Sequence, residues 1–537
     1  AQAFTFPNNF MAGNLAQTSI TSTQNNSRTF DDLTRMILGS VVVNTIKTID
    51  GTSEAHTNDL TADTNADPRP VAVGEVITYR LVVEIPEGTS SDVQFTDTLA
   101  PNVEFIAGSA RISYSANNAM GVFSVAGILN EINPTTTIPA GLITFGVTGP
   151  RELRFDIGQV ANNDTDNTAS VELLIIEYQA VVVNTADNTI GAIFANDFEV
   201  DLNNDGIDDD VSNEVFNIIH EPVINMTKSI NTTLSNPTGT TTFDSGDTVI
   251  YDISVTPSNG ANMTTAFDLI ITDAIDPNLD LIDVDFFGTP IYASTADNSD
   301  YTMPVQTVSA TITELRVGDS ITIRVTATVL NTVTIGQIIP NSVAVTWTSL
   351  PGNQGTGNAT PGNSGDTNGE RNGSGGTNDY IATTTVNFTA GGTVNTIKTI
   401  DGTSEAHTND LTADTNADPR PVAVGEVITY RLVAEMPEGT SPDAQFTDTL
   451  APNVELIAGT ARISYSANNA FTGTGAYGIN EINPTTTIPG GLITFGVTGP
   501  RELRFDLGQV INNDNDSPDT ELLIVEYQVL VVNTSDN

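Results

Sequence analysis

The stretch GDTVIYDISV, residues 246–255, alternates polar and apolar side chains, and so does GEVITYRLV at residues 74–82 and again at 425–433. Alternation with a period of two is typical of β-strands that bury one face. Similar short runs, bounded by Gly, Pro, Asn and Asp, continue along much of the chain. This pattern predicts an all-β fold built from antiparallel β-sandwiches.

A long internal repeat sets the number of sandwiches. NTIKTIDGTSEAHTNDLTADTNADPRPVAVGEVITYRLV begins at Asn44, an identical copy begins at Asn395, and a more diverged unit lies between them. Repeats of this period indicate one structural unit used several times. We predict three sandwiches, at residues 41–200, 223–349 and 381–537. A donor strand at 1–14 and a linker at 15–40, with a short helix at 30–38, precede them. An acidic calcium-loop linker at 201–222 and an exposed Gly/Asn/Ser-rich loop at 350–380 connect them.

The composition restricts the possible partners. The chain has 66 Asp and Glu against 18 Lys and Arg, a formal net charge of -48, which argues against nucleic acid and anionic membranes. It has no run of about 18 apolar residues that would span a membrane. Cysteine is absent, so stability must come from cores, metal ions or another cross-link. The start AQA, in place of Met, suits a trimmed, exported chain, so we expect an extracellular location.

The third unit lacks its closing strand. The first two units end with IFANDFEV at 193–200 and IIPNSVAV at 338–345, whereas the third stops at LVVNTSDN, residues 530–537. A sandwich without its last strand exposes an apolar groove and an unpaired edge. We therefore expect an open third sandwich.

The N-terminal segment resembles the missing strand. FPNNF at 6–10 is similar to FANDF at 194–198, with Asn8 in the place of Asn196 and Asn341. We expect this segment to insert into the third sandwich of a neighbouring copy by strand addition, which generates a head-to-tail homopolymer. The alternative is a longer gene product that completes the domain in cis. The donor-strand residues are Phe4, Phe6, Asn8 and Phe10.

The middle unit resembles a known family. GDTVIYDISVTPSNGANMTTAFDLIITDAIDPNLD, the later NSVAVTW, WTSLPG and GERNGSGGTNDY are similar to the conserved repeat domain of bacterial and archaeal surface proteins. That resemblance implies tandem immunoglobulin-like sandwiches with structural or adhesive roles and without catalysis. It covers the outer units less well, because these carry an acidic insertion after the first strand. Related surface sandwiches resemble pilin modules in which an acid promotes a Lys–Asn isopeptide bond.

Each unit carries polar residues on apolar strand faces. In INMTKSI, residues 224–230, Lys228 shares its face with Ile224 and Ile230, because side chains two residues apart point the same way. The same pattern places one Asp of each unit, and one Asn of each of the first two units, on an apolar face. The candidate triads are Lys47, Asp97 and Asn196; Lys228, Asp273 and Asn341; and Lys398, Asp448 and, from the donated strand, Asn8.

Two interpretations of these triads remain open. Burial lowers the pKa of Lys and raises that of Asp, so a neutral amine beside a protonated acid could attack the Asn carboxamide and release ammonia. Alternatively, each triad is a buried Lys–Asp ion pair with Asn as a hydrogen-bond partner. A misassigned strand face is the third possibility.

The stretch DLNNDGIDDD, residues 201–210, matches the first half of a calcium-binding loop. Position twelve of that loop is Ser212 in place of Glu, which leaves Glu214 or Asp210 as the last ligand. Gly206 would allow the sharp turn. The alternative is a solvated acidic turn. The candidate Ca²⁺ ligands are Asp201, Asn203, Asp205, the Ile207 carbonyl and Asp209.

The repeated acidic loop NDLTADTNAD is a weaker ion-binding candidate, because acidic loops are usually only solvated. Its carboxylates are Asp59, Asp63 and Asp67 in the first unit and Asp410, Asp414 and Asp418 in the third.

Catalytic motifs are absent from the sequence. It contains no H-E-x-x-H, no G-x-S-x-G, no phosphate loop and no Cys nucleophile, and its three histidines, His56, His220 and His407, have no evident catalytic partner. We therefore predict no enzyme. The favoured function is a secreted filament subunit stiffened by calcium, and the alternative is the stalk of a cell-surface adhesin or surface-layer protein.

Overall fold

The computed structural model describes residues 12–21, 27–36, 43–57, 59, 63–115, 120–122, 134–163, 172–236, 242–288, 307–352, 369–373, 379–392, 394–408, 415, 417–466, 471–473, 486–513 and 521–535. Regular structure in these ranges is almost entirely β-strand, which confirms the predicted all-β fold; the exceptions there are 3₁₀-helices at Ala140–Leu142 and Gly490–Leu492. None of the described helices has the length and apolar character needed to cross a membrane. The chain divides into two compact units, one of Ala1–Pro222, Gly260–Thr265 and Thr348–Tyr380, the other of Val223–Asn259, Ala266–Trp347 and Ile381–Asn537.

The N-terminal region forms a hairpin of β1 (Ala12–Thr21) and β2 (Ser27–Met36). The two strands are antiparallel, with Ala12 opposite Met36 and Thr21 opposite Ser27. The short helix predicted at 30–38 is therefore wrong for its described part, which is strand. The predicted donor residues Phe4, Phe6, Asn8 and Phe10 lie outside the described residues.

Sandwich 1 consists of two main sheets. In the described ranges their orders are β10-β8-β13-β5-β3, with β7 also on β13, and β11-β12-β6-β15-β16, with β9 also on β12. Alternate residues of the strands fill the space between the sheets, where Tyr79, Phe95, Phe155 and Tyr178 are fully buried. The strands are β3 (Thr45–Thr52), β4 (Arg69–Val71), β5 (Val76–Glu84), β6 (Gly88–Thr98), β7 (Val103–Phe105), β8 (Arg111–Ser115), β9 (Met120–Val122), β10 (Thr136–Thr137), β11 (Ile143–Phe145), β12 (Glu152–Asn162), β13 (Leu173–Val182), β14 (Ile193–Asn196), β15 (Glu199–Asp201), β16 (Asp210–Val211) and β17 (Val215–Ile219).

The closing strand of sandwich 1 is split between sheets. Strand β14 pairs with β17 in a small sheet of order β14-β17-β4, whereas β15 pairs with β6. Because β17 also runs parallel to β4, the segment that follows the acidic loop belongs to the body of this sandwich. The predicted linker at 201–222 is therefore wrong in its second half.

Sandwich 2 also has two sheets among its described residues, of order β18-β20-β24-β22 and β19-β26-β25-β21-β23. Strand β26 pairs antiparallel with β25 from Ile338 opposite Thr389 to Thr346 opposite Ile381. The predicted start of sandwich 3 at residue 381 is therefore wrong, because this strand closes sandwich 2. The strands are β18 (Ile224–Ile230), β19 (Thr242–Phe243), β20 (Thr248–Pro257), β21 (Ala266–Ala274), β22 (Leu279–Gly288), β23 (Thr307–Leu315), β24 (Ile321–Val329), β25 (Ile338–Thr348) and β26 (Ile381–Ala390).

Part of the predicted Gly/Asn/Ser-rich loop is core. Residues 369–373 are described, and in them Glu370 and Arg371 are only 2% and 0% exposed. The Arg371 guanidinium forms an ion pair with Glu221 and donates hydrogen bonds to the carbonyls of Thr185 and Asn188, each at 2.9 Å. The prediction of an exposed loop is wrong here, since a fully buried arginine ties this segment to the end of sandwich 1.

Sandwich 3 repeats the plan of sandwich 1 up to its last strands. Its described sheets have the orders β27-β28-β36-β31-β33, with β30 also on β36, and β29-β35-β32, with β34 also on β35. In that part of the chain β29 lies at the edge of its sheet, whereas the equivalent β6 is covered by β15. The strands are β27 (Thr396–Thr403), β28 (Val427–Glu435), β29 (Gly439–Thr449), β30 (Val454–Leu456), β31 (Arg462–Ser466), β32 (Phe471–Gly473), β33 (Thr486–Thr487), β34 (Ile493–Phe495), β35 (Glu502–Asn512) and β36 (Leu522–Val531).

Candidate functional site

The buried polar cluster of sandwich 1 joins four strands of the core, β3, β6, β13 and β14. Lys47 on β3 and Asp97 on β6 form an ion pair in which both side chains are 0% exposed. The Tyr178 hydroxyl donates to the same Asp97 oxygen at 2.6 Å, and the Asn196 amide nitrogen donates to the Tyr178 hydroxyl at 3.1 Å. The structure thus brings the predicted Lys, Asp and Asn into one hydrogen-bonded cluster, with a tyrosine as the bridge.

Burial dominates the electrostatics of this cluster. It lowers the pKa of Lys47 to about 8, although the charge of Asp97 opposes the shift. It also raises the pKa of Asp97, against the opposing effect of Lys47. Desolvation thus disfavours the charged forms of both groups. Lys47 Nζ lies 4.9 Å from the ring centroid of Tyr79 and donates to the Asp197 carbonyl at 3.1 Å.

Sandwich 2 contains the corresponding Lys–Asp pair. Lys228 Nζ is 2.6 Å from Asp273 Oδ2, both side chains are 0% exposed, and the amine lies 5.0 Å from the Tyr251 ring centroid. Burial lowers the pKa of Lys228 and raises that of Asp273. Asn341 on β25 is fully buried beside the strand that carries Asp273, and its side-chain amide has no well-formed hydrogen-bond partner among the described residues.

Among the described residues, sandwich 3 carries the Lys–Asp pair without an Asn beside it. Lys398 Nζ lies 2.8 and 2.6 Å from the two Asp448 oxygens and 4.3 Å from the Tyr430 ring centroid. The Tyr527 hydroxyl donates to Asp448 as Tyr178 does to Asp97. The Lys398 side chain is nevertheless 40% exposed. Strands β3 and β27 both read TIKTIDGT, so the exposure comes from missing cover and not from local sequence.

An open groove runs beside this exposed pair. It has a volume of 310 Å³ and lies between β27, β28 and β29, with Met436, Ala444 and Phe446 among its lining residues. Phe446 is only partly buried, whereas its counterpart Phe95 is fully buried against Phe198, with ring centroids 5.8 Å apart. The groove therefore exposes the apolar face that the closing segment covers in sandwich 1.

Tyrosine is the component that sequence reasoning missed. Tyr79, Tyr251 and Tyr430 occupy equivalent places in GEVITYRLV and GDTVIYDISV, and each ring faces the lysine of its sandwich. Strand alternation would have found them, because Tyr79 lies on the same face as Ile77 and Leu81. Tyr178, opposite Tyr79 on the neighbouring strand β13, has no such local signal for its hydrogen bond to Asp97.

The predicted calcium loop is folded around its own first carboxylate. Asp201 is buried, and its Oδ1 accepts from the amides of Asn203 and Asn204 at 3.0 and 2.6 Å. Its Oδ2 accepts from the amide of Gly206 at 3.0 Å, and that glycine has a φ of 80°, which favours Gly. The turn geometry therefore matches the predicted loop.

The other proposed ligands make similar local contacts. Asn203 and Asp205 side chains accept from backbone amides two residues further on, Asp209 Oδ2 accepts from the Leu202 amide at 2.8 Å, and Ile207 is 72% exposed. In the described part of the chain no three His, Cys, Asp or Glu side chains are arranged to hold a metal ion. The oxygen-rich donor set is nevertheless the type that Ca²⁺ prefers, and calcium stays a prediction.

The repeated acidic loop lies near an arginine in sandwich 1. Burial lowers the pKa of Arg69, and the charges of Asp63 and Asp59 oppose that shift. Asp67 pairs through its backbone with Thr64. In sandwich 3, Asp410 and Asp414 lie outside the described residues, and Asp418 is exposed. Asp59 and Asp63 thus have Arg69 as their neighbour, and ion binding there stays a prediction.

Comparison with known proteins gives only remote structural likeness. No family model and no curated protein matches the chain. Among solved structures, the chain is similar to the C-terminal domain of the Streptococcus agalactiae AgI/II polypeptide BspA, with 10% identity, a TM-score of 0.30 and coverage of 56% of this chain and 95% of that one. It is also similar to BcpA, the major pilin subunit of Bacillus cereus, with 12% identity, a TM-score of 0.22 and coverage of 64% and 85%. A backbone pilin of Streptococcus pyogenes with a modular three-domain structure gives 9% identity, a TM-score of 0.23 and coverage of 82% and 95%.

Proposed function

We propose that this protein is the structural subunit of an extracellular filament, in which the N-terminal segment of one subunit completes the third sandwich of the next. One observation carries the proposal: the Lys398 side chain is 40% exposed, while Lys47, in an identical strand, is 0% exposed. The third sandwich therefore has the core residues of a closed domain, but no segment equivalent to β14 and β15 lies over them in the described chain.

The cover that fits is defined by sandwich 1. There, β14 brings Asn196 to the cluster, and β15 pairs with β6 through Val200 opposite Phe95. FPNNF repeats FANDF with Asn8 in the place of Asn196. Strand addition would supply backbone partners to the β29 edge at residues 445–447, which correspond to the part of β6 that pairs with β15, and Phe6 and Phe10 would fill the groove.

The contact generates an open polymer. Donor and acceptor are different surfaces of the same chain, so each subunit offers one of each and the contact does not close on itself. The net charge of -48 opposes non-specific association of such chains, which leaves a specific apolar contact to direct assembly.

The same clusters are suited to form isopeptide bonds. The neutral Lys amine attacks Asn Cγ, the new C–N bond forms, and the Cγ–Nδ2 bond breaks. Asp carries a proton from the amine to the leaving nitrogen, which departs as ammonia, so atoms and charge balance. The pKa shifts of Lys47 and Asp97 support this step, because they favour the neutral forms that it needs. In the filament the third bond would join Lys398 to Asn8 of another subunit.

Assembly tests the proposal directly. Deletion of residues 1–11 should abolish polymers, whereas the stalk of an adhesin should be unaffected by it. Asn8→Ala should still polymerise but lose any ladder that survives boiling, and peptide mapping of the wild type should find Lys398 linked to Asn8 with the loss of one ammonia. Polymers formed by the truncated chain would refute strand donation; boiled wild type that is entirely monomeric would refute the covalent bond.

We also propose that Ca²⁺ binds the loop at residues 201–210, with Asp201, Asn203, Asp205 and Asp209 as ligands. The test is the thermal unfolding temperature with Ca²⁺ and after chelation. Calcium should raise it in the wild type and in Asp443→Asn, an exposed control, but not in Asp205→Asn. An equal shift in all three chains would locate the effect elsewhere.

A further inference from the structure

The first two sandwiches are each closed by two strands. In sandwich 1, β17 runs antiparallel to β14 and parallel to the short strand β4. In sandwich 2, β26 runs antiparallel to β25 and parallel to the short strand β19. The Asn-bearing strand is thus followed in both cases by a return strand.

The two return strands make the same backbone hydrogen bonds. The amide that follows each one donates to the short parallel strand, from His220 to the Val71 carbonyl at 2.9 Å and from Gly391 to the Phe243 carbonyl at 2.8 Å. Their last carbonyls also accept equivalent bonds, Ile219 from Gly191 at 2.8 Å and Ala390 from Gly336 at 2.7 Å. The return strand is therefore a repeated part of the sandwich.

Each return strand also has a fixed place in the sequence. Ile219 lies nine residues before Lys228, and Ala390 lies eight residues before Lys398. The segment that closes one sandwich thus leads directly into the lysine strand of the next. A return strand for sandwich 3 would be expected just before the lysine strand of whatever unit follows it.

Among its described residues, sandwich 3 has no counterpart of this return strand. ADPRPVAVGEVITYRLV is identical in the first and third units, yet its residues Val71 and Val73 are 0% exposed, while Val422 and Val424 are 38% and 54% exposed. Arg420–Val422, the counterpart of β4, is not a strand. Because the sequences match, the difference comes from neighbouring segments: in sandwich 1, β17 pairs with Val71, and the Ser349 hydroxyl donates to the Val73 carbonyl at 2.7 Å. The missing parallel partner therefore accounts for the exposure of Val422.

We infer that the partner at this second edge is residues 34–38 of a second copy, TRMIL. They precede Lys47 by the same distance at which VFNII, residues 215–219, precedes Lys228, and both end in two large aliphatic residues. Ile37 and Leu38 lie outside the described residues, and only their sequence position is used. This inference rests on the proposed function and extends it: the donated element is a pair of strands, and the segment predicted as a linker at 15–40 is part of the joint.

The assignment has a structural requirement. Strand β2 pairs with β1, with Met36 opposite Ala12. If Asn8 takes the place of Asn196, its partner in the return strand is Thr34, since Asn196 is opposite Val215. Residues 34–36 must therefore leave β1 when subunits join. In this arrangement, the junction between subunits has the same construction as the junctions between sandwiches within one chain.

Disulfide trapping tests the second strand, because the chain has no native cysteine to interfere. Ile218 lies opposite Pro70 in the parallel pair, so Ile37→Cys combined with Pro421→Cys should link subunits on oxidation. Ile218→Cys with Pro70→Cys is the matched control within one chain. Met11→Cys with Thr447→Cys reports the first donated strand, since Glu199 is opposite Thr96. Single-cysteine chains show the background of random oxidation.

The outcomes separate the two levels of the proposal. Linkage of residues 37 and 421 between subunits, identified as a reducible peptide pair above the single-cysteine background, supports the second strand. Linkage of 11 and 447 with none of 37 and 421 would overturn it and leave single-strand donation standing. Linkage of neither pair, with the control at 218 and 70 formed, would overturn both.

Discussion

Removal of one carboxylate should affect the closed and open clusters very differently. Asp97→Asn leaves Lys47 without its counter-charge in a site where the side chain is 0% exposed. Loss of one partner of a buried ion pair costs about 3–5 kcal/mol. Asp448→Asn makes the same change beside Lys398, which is 40% exposed and can be solvated. That cost should be about 0–1 kcal/mol, as for exposed ion pairs.

Hydrogen exchange can measure the local stability at both sites in one intact chain. Strands β5 and β28 read VITYRLVVE and VITYRLVAE, so their intrinsic exchange rates nearly match. In a chain without residues 1–11, kept monomeric, Asp97→Asn should accelerate exchange of the β5 peptide about 10²-fold or more, at about 1.4 kcal/mol for each factor of ten. Asp448→Asn should change the β28 peptide by less than about tenfold.

Polymer assembly should remove the difference between the effects of Asp97→Asn and Asp448→Asn on hydrogen exchange. In polymers of the full chain, a donated cover over Lys398 would turn its site into a closed one, so the effect of Asp448→Asn on β28 should approach that of Asp97→Asn on β5. Equal acceleration of both peptides in the monomer would refute the reasoning, because it would mean that exposure does not set the cost. An unchanged Asp448→Asn effect in the polymer would show that Lys398 stays solvated.

Two further predictions concern sandwich 1. Arg371→Ala should destabilise sandwich 1 by about 3–5 kcal/mol, because the buried Glu221 loses its charge partner and the Thr185 and Asn188 carbonyls lose their donors. Arg371→Lys should recover part of the lost stability in thermal unfolding. An unchanged unfolding temperature in Arg371→Ala would contradict this prediction. Burial raises the pKa of Glu75 to about 7, so between about pH 4.5 and pH 7 the folded state holds a proton that the unfolded state has released. Stability of sandwich 1 should therefore fall by up to about 3 kcal/mol as pH rises through this window, and Glu75→Gln should flatten the profile measured by calorimetry; the same slope in both chains would argue against this role.

Strand alternation was sufficient to find the Lys and Asp of each cluster, because it reports directly which side chains face the core. It indicated that Lys47 and Asp97 share the core of sandwich 1, and the structure joins them in an ion pair. It could not indicate the bond from Tyr178 to Asp97, since that contact spans 81 residues and depends on the reach of a hydroxyl across the sandwich.

The domain boundaries are harder to predict from the sequence than the buried Lys and Asp residues, because local composition does not mark them. Because residues 381–390, IATTTVNFTA, follow a Gly-rich stretch, composition places them in the next unit. Their hydrogen-bonding partners nevertheless lie on β25. Arg371 was hidden in the same way, within a segment whose average composition is that of a solvated loop. In both cases, contacts with residues distant in sequence decide where the segment belongs. A single sequence does not show those contacts.

The position of β25 has a mechanical consequence. It lies in the interior of its sheet, between β26 and β21, and nine of its residues pair with β26. Antiparallel hydrogen bonds are perpendicular to the strands, so tension along β25 loads many of them together in shear instead of breaking them one after another. A closing strand in this position resists extraction collectively, which is the property that the proposed filament would need under tension.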